Sequence, residues 1–275
     1  MTDRLSLCVL GSSSAGNATL VWNSESALLV DCGFGPVYIE RQMRLLGLRL
    51  SDLTGVLITH THGDHVNGRS VQRLMKANVP LYCPTDLALP LQGIYPAVAD
   101  AGHAGLLRLL AEPEAEVGSF LVRPFPVPHD SPGGCFGYSL FDGVNGRTRK
   151  VSIATDLAYP SRGLAGHFAN SDALVIESNH DTEMLENSGR PIWLKRRIRE
   201  VGHLSNDQCA EFLVQVIDHS HRLPETMVLA HLSQECNTGR IAMECAFDAV
   251  RRFGSEERSL VKSSRDAATR RIEVG

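Results

Sequence analysis

The segment THTHGDHVNG, Thr59 to Gly68, sets three histidines and an aspartate within six residues: His60, His62, Asp64 and His65. Imidazole and carboxylate together suit zinc or a similar divalent ion. Residues two apart on an extended chain point the same way, so His60 and His62 are placed to grip one ion together. Gly63 permits a sharp turn that carries Asp64 and His65 round toward a second ion. The apolar run LTGVLI, residues 53–58, precedes the cluster and reads as a buried strand. Low-complexity histidine tracts lack such a flank.

The same logic recurs along the chain. Apolar, β-branched runs end at Asp31 (ALLV), His60 (GVLIT), His129 (LVRPFPVP), Asp156 (VSIAT), Glu177 (ALVI) and His231 (MVLA). Strand ends gather on one rim of a sheet, so these distant residues can converge. Two ions at four or five ligands each need about seven protein groups and a shared water. His60, His62, Asp64, His65, His129, Asp156 and His231 supply seven. Asp156, with two carboxylate oxygens, is the natural bridge between the ions.

The elements that must hold these groups are legible in outline. Strands are predicted over 5–11, 17–24, 26–33, 53–58, 119–130, 134–142, 150–157, 172–181 and 225–233. Helices are predicted over 36–48, 67–77, 192–202, 206–220 and 237–254. The order, β-rich then helical and twice over, suits two sheets packed face to face with helices outside. Residues 81–117 mix prolines, glycines and a short apolar helix and are expected to form a lid or insertion. One domain is expected over 1–254, followed by a charged tail, 255–275, that frays.

Composition narrows the setting. The chain has 275 residues, 43% of them hydrophobic, enough for a large core. With 27 basic and 31 acidic residues the net charge is −4, so any polyanion must meet a local patch rather than a global cationic field. Seven cysteines, an odd number without a CxxC pair, indicate a reduced, cytoplasmic protein with buried thiols. No apolar run is long enough to cross a membrane, and the N-terminus lacks a signal-peptide layout.

HxHxDH at 60–65, with a downstream His, Asp and His in order, resembles the metallo-β-lactamase superfamily. The resemblance implies an α/β fold, a four-layer αββα sandwich, with a dinuclear site on its edge. It implies that His60, His62, His129 and Asp156 hold one metal and that Asp64, His65, Asp156 and His231 hold the other. Asp31 then matches the family's aspartate that orients the histidine loop. GSSSAGN, ESNHD, LKRRI and GHLSN resemble the WalJ (YycJ) branch of that superfamily, whose members are cytosolic bacterial nucleases acting on DNA ends. The likeness runs from about residue 5 to 250 and is poor over 84–116. Where the branch often has His-Asp-Ala, this chain has His129-Asp130-Ser131.

Two divalent ions, Zn or Mn, suit hydrolysis, and three features discriminate among substrates. Asp156 stands where a true β-lactamase would carry a Cys. HxHxDH rather than HxExD favours hydrolysis over di-iron redox chemistry. Glu177 and His203 are extra groups that a thioester hydrolase does not need, whereas a phosphodiester needs its leaving oxygen protonated. The expectation is therefore a DNA exonuclease using a metal-bridging hydroxide. Its catalytic groups are Asp64, Glu177 and His203, with His203 as general acid. Phosphate contacts are expected from Lys195, Arg196, Arg197 and Arg199, and from Ser205 and Asn206 at a helix start with a capping box. The alternatives are a small-molecule or cyclic phosphodiesterase, a glyoxalase II-like thioesterase, and a non-catalytic regulatory protein that keeps the metal site.

Overall fold

The structure, a computed structural model, describes residues 4–144, 147–254 and 259–275. Two mixed sheets of seven strands each lie face to face among the described residues. The first carries β1 (Leu5–Ser13), β2 (Gly16–Trp22), β3 (Ala27–Val30), β4 (Gly55–Leu57), β5 (Leu81–Pro84) and β6 (Leu107–Leu110) in that spatial order. The second runs from β7 (Ala115–Val117) through β8 (Phe120–Val127), β9 (Cys135–Val144), β10 (Arg147–Ala154) and β11 (Ala173–Glu177) to β12 (Thr226–Ala230). Helices α1 (Pro36–Leu45), α2 (Gly68–Lys76), α3 (Thr85–Ile94) and α4 (Pro96–His103) accompany the first sheet. Helices α5 (Arg162–Phe168), α6 (Thr182–Asn187), α7 (Ile192–Arg197), α8 (Asn206–Asp218) and α9 (Gly239–Val250) follow in the second half.

Strand alternation explains the layering. In β1, Leu5, Leu7 and Val9 enter the core between the sheets, where Leu28, Tyr138, Val151 and Val175 also meet. Cys8 and Leu10 point the other way, into the layer holding Ile39, Val71, Leu91 and Val98 from α1 to α4. β11 does the same: Ala173 and Val175 face the first sheet, while Leu174 and Ile176 face Phe212 and Ala246 of α8 and α9. Strands buried on both faces read as continuous apolar runs, which is why they stood out in the sequence. Each large apolar side chain so buried contributes roughly 1.5–3 kcal/mol. The αββα expectation holds.

Two expectations need correction. Residues 81–117 are not a detached lid: β5 and β6 extend the first sheet, β7 edges the second, and Leu87, Leu91, Ala97 and Val98 pack into the core. The segment after Gly254, expected to fray, instead supplies β13 (Leu260–Lys262) beside β12 and β14 (Ile272–Val274) antiparallel to β1. Of that segment, 255–258 lie outside the described residues. No helix among the described residues is long and apolar enough to cross a membrane.

Candidate metal centre

β3 runs parallel to β4, and β10 to β11 and β12, so their C-terminal ends share a rim. At three of those ends the backbone turns through the left-handed region in a residue that is not glycine: Asp31 (φ 64°), Asp156 (φ 62°) and His231 (φ 56°). Such turns cost free energy and cluster at functional sites. Here each follows the last residues of a buried strand and lifts a polar side chain into the rim.

Asp31 organises the histidine loop. Its Oδ1 accepts from the Thr59 amide at 2.9 Å and its Oδ2 from the Thr59 hydroxyl at 2.8 Å. His65 Nδ1 lies 2.7 Å from the same Oδ2. The loop also leans on Gly33, where a Cβ would stand 1.7 Å from the Asp64 carbonyl oxygen, so only glycine fits. That carbonyl accepts from the Asn17 amide at 2.8 Å, and Asn17 Nδ2 lies 2.9 Å from His65 Nε2. Asn17, within the GSSSAGN turn, was missed as a site residue.

All seven expected ligands converge. His60, His62 and His129 form one cluster of donor atoms within 4.8 Å of one another, and Asp64, His65, Asp156 and His231 form a second on the same terms. A third joins Asp156 and His231 to Glu177 and His203. The donors fit a cation. His60 Nε2 is buried with no hydrogen-bond partner. His129 Nδ1 donates to the Gly202 carbonyl at 2.8 Å, leaving Nε2, 3.2 Å from His62 Nδ1, with its lone pair. Burial is the main cause that holds His60 well below the usual imidazole range and lowers His62 and His129, which keeps them in the neutral form a metal requires. At His65 and His231 burial opposes charge, but the carboxylates, Asp156 foremost, prevail and raise both well above that range. His231 Nε2 lies 3.2 Å from Asp64 Oδ2 and His65 Nε2 3.0 Å from Asp156 Oδ2. Each contact calls for a positive charge between, as a proton or a metal ion.

Glu177, fully buried at the end of β11, is the hub of the other side. Its Oε1 accepts from His203 Nδ1 at 2.8 Å and from His231 Nδ1 at 2.7 Å. Its Oε2 accepts from the amides of Leu157 at 2.8 Å and Leu204 at 3.2 Å. Burial would raise its pKa, yet the charge and hydrogen bond of His203, then those of His231, bring it down to about 2. The contact with His231 was not foreseen from sequence. Asp64, His62, His129, Asp156, His203 and His231 line a cavity of about 360 Å³, joined there by Arg197.

The basic segment divides. Arg197 reaches the cavity and pairs with Asp130 at 2.7 Å. Arg196 pairs with Glu200 at 3.0 Å, Arg199 with Glu186 at 2.6 Å, and Lys195 donates to the Glu186 carbonyl. A π-helical turn, Ile198–Gly202, follows α7 and delivers both the Gly202 carbonyl to His129 and His203 to the cavity. Such turns recur at functional sites. Ser205 and Asn206 are a correction. Ser205 caps α8 in the expected capping box with Gln208, and Asn206 bonds Ser178 and Asn237, so both side chains are buried and engaged within the protein.

Residues 27–232 match the β-lactamase superfamily domain. The chain belongs to the metallo-β-lactamase superfamily. It is 31% identical to the exodeoxyribonuclease YycJ of Bacillus anthracis over 86% of both chains. It is 30% identical to the exodeoxyribonuclease WalJ of Streptococcus pneumoniae, over 85% of this chain and 84% of that one. Among solved structures, the metallo-β-lactamase fold protein YhfI from Bacillus subtilis superposes with a TM-score of 0.70 at 16% identity, covering 98% of this chain and 100% of that one. Membership of the superfamily and the donor clusters make the chain a metal-dependent hydrolase.

Proposed function

We propose that the chain is a dinuclear phosphodiester hydrolase that degrades DNA from its ends in the cytoplasm. The names of the YycJ and WalJ relatives support the substrate. The observation that carries the reaction class is the His203–Glu177 pair at the cavity wall. With Nδ1 held by Glu177, His203 is left with Nε2 for the substrate. That is the arrangement of a general acid for a poor alkoxide leaving group.

His60, His62 and His129 would hold one divalent ion, and Asp64, His65 and His231 the other, with Asp156 between them. Zinc or manganese suits this donor set. When bound, such a pair lowers the pKa of a water and neutralises charge on the phosphoryl group. Arg197 steers a non-bridging phosphate oxygen, since its guanidinium keeps donors beyond the one given to Asp130. Asp31 and Glu177 fix the rings on which the donor atoms sit.

Purified protein is tested on end-labelled duplex and single-stranded DNA, RNA, a cyclic nucleotide and bis(p-nitrophenyl) phosphate, with elemental analysis alongside. The proposal expects about two ions per chain and progressive loss of nucleotides from DNA ends. Turnover of the cyclic nucleotide with inert DNA would overturn the substrate.

A further inference from the structure

Trp193 stands two-thirds exposed on α7, and its neighbour Ile192 is 84% exposed. The six-residue helix buries none of its own residues; its apolar anchor is Leu194, packed against Leu185, Ile198 and Cys236. Single exposed apolar residues are ordinary. Trp193 differs by its place. It precedes Arg197 by four residues on one helix, so the two side chains leave the same face of α7, and Arg197 lines the cavity with His203. An exposed aromatic residue one helical turn from a cation that lines a hydrolytic site matches the repeat of a nucleic-acid strand: base, then phosphate.

We propose that Trp193 is a stacking platform for an unpaired nucleobase of the strand whose phosphodiester enters the cavity, with Arg197 on the intervening phosphate. This rests on the nucleic-acid reading above. Stacking on an aromatic ring tolerates any base, because every base offers a π-face. Such a platform therefore suits an enzyme that removes nucleotides without regard to sequence.

The chain has two tryptophans, and Trp22 is buried beside Arg271. Both indoles emit, but Trp22 is shielded from added DNA, so a DNA-induced change in emission that is lost in Trp193→Leu reports on Trp193. Short single-stranded DNA is titrated into the metal-loaded His203→Ala protein, which slows cleavage. Quenching is expected, and Trp193→Leu in that background should abolish it and weaken binding roughly 5–150-fold. Trp193→Phe should restore most of the affinity. An abasic residue moved stepwise from the DNA end should, at one position, weaken the parent protein by the same factor and leave Trp193→Leu no weaker. Equal effects of Trp193→Leu on intact and abasic DNA would overturn the platform while leaving the nuclease reading standing. Wild-type protein that neither binds nor degrades any oligonucleotide would sink both. Self-association that depends on Trp193, without quenching by DNA, would assign the face to a second copy of the chain instead.

Discussion

Two buried carboxylates, Asp31 and Glu177, stand at strand ends in opposite halves of the molecule and tie imidazoles into the same rim. They do so differently. Asp31 binds one loop, meeting Thr59 twice and His65 once, all within seven residues of chain. Glu177 gathers three separate segments, at Leu157, at His203 and Leu204, and at His231. A contiguous loop already has most of its geometry from the chain, so its anchor only fixes ring orientation. Segments brought together over long sequence separations need a common acceptor to set their spacing. One half of the centre is thus organised locally and the other by a hub that touches both an expected ligand, His231, and an expected acid, His203.

The largest effects should come from the ligands themselves. His62→Ala should remove most metal and activity together, by elemental analysis and DNA turnover. Asp156→Ala should lose more metal than His231→Ala, because Asp156, with Oδ2 3.0 Å from His65 Nε2 and Oδ1 3.8 Å from His129 Nε2, is the group proposed to serve both ions. Equal losses would remove the bridge, and retention of one ion or fewer by wild-type protein would remove the second site.

His203→Ala tests the hub's other arm. General acid catalysis contributes roughly 10²–10⁴-fold, or about 3–5 kcal/mol. A loss of that order is expected with DNA, whose deoxyribose alkoxide leaves poorly, and far less with bis(p-nitrophenyl) phosphate, whose phenolate needs no proton. Metal content should stay near wild type. Equal loss on both substrates would make His203 a phosphate clamp, and lost metal would make it a ligand.

How much of this was legible follows from the same contrast. The His60–His65 loop was readable because its groups are adjacent and its strand is apolar on both faces. Asp31, His129, Asp156, Glu177 and His231 were readable as polar residues ending such strands. Asn17, the Gly202 carbonyl and the Glu177–His231 bond were not, since each depends on a long-range meeting that leaves no local pattern. Ser205 and Asn206 misled because a helix-capping residue and a phosphate-binding one look alike in sequence. β13 and β14, three residues each, owe their extended form to the sheet edges they join rather than to their own propensity. Pro90 inside α3 hid a helix that tertiary packing sustains.

Neutralising the anchors should separate the halves. Asp31→Asn and Glu177→Gln each remove an acceptor oxygen from a ligand's supporting bond, and losses of 10–100-fold in metal affinity are expected for both. Only Glu177→Gln should also lower the ratio of DNA to small-diester turnover, because it alone touches His203. A falling ratio in Asp31→Asn, or an unchanged one in Glu177→Gln, would end the distinction drawn between loop anchor and hub.

The smallest effect expected is on acid stability, measured on metal-free protein by urea unfolding. Glu177 is depressed from an ordinary value of 4.5 to about 2 because, against burial, His203 and His231 favour its charged form. A carboxylate with a lowered folded-state pKa contributes stability that is fully present above its unfolded pKa. That contribution fades as pH falls toward the folded value, since protonation then favours the unfolded chain. Wild type should therefore exceed Glu177→Gln in stability above about pH 5, by on the order of 3 kcal/mol. The gap should close between about pH 4.5 and 2, although other carboxylates titrate in both proteins and cancel in the difference. His203→Ala should shrink the gap, because it removes the first of the charges that hold Glu177 ionised. A gap that stays constant down to pH 2 would mean that the four hydrogen bonds at Glu177 hold its position without favouring its charge, and the hub would be a geometric device alone.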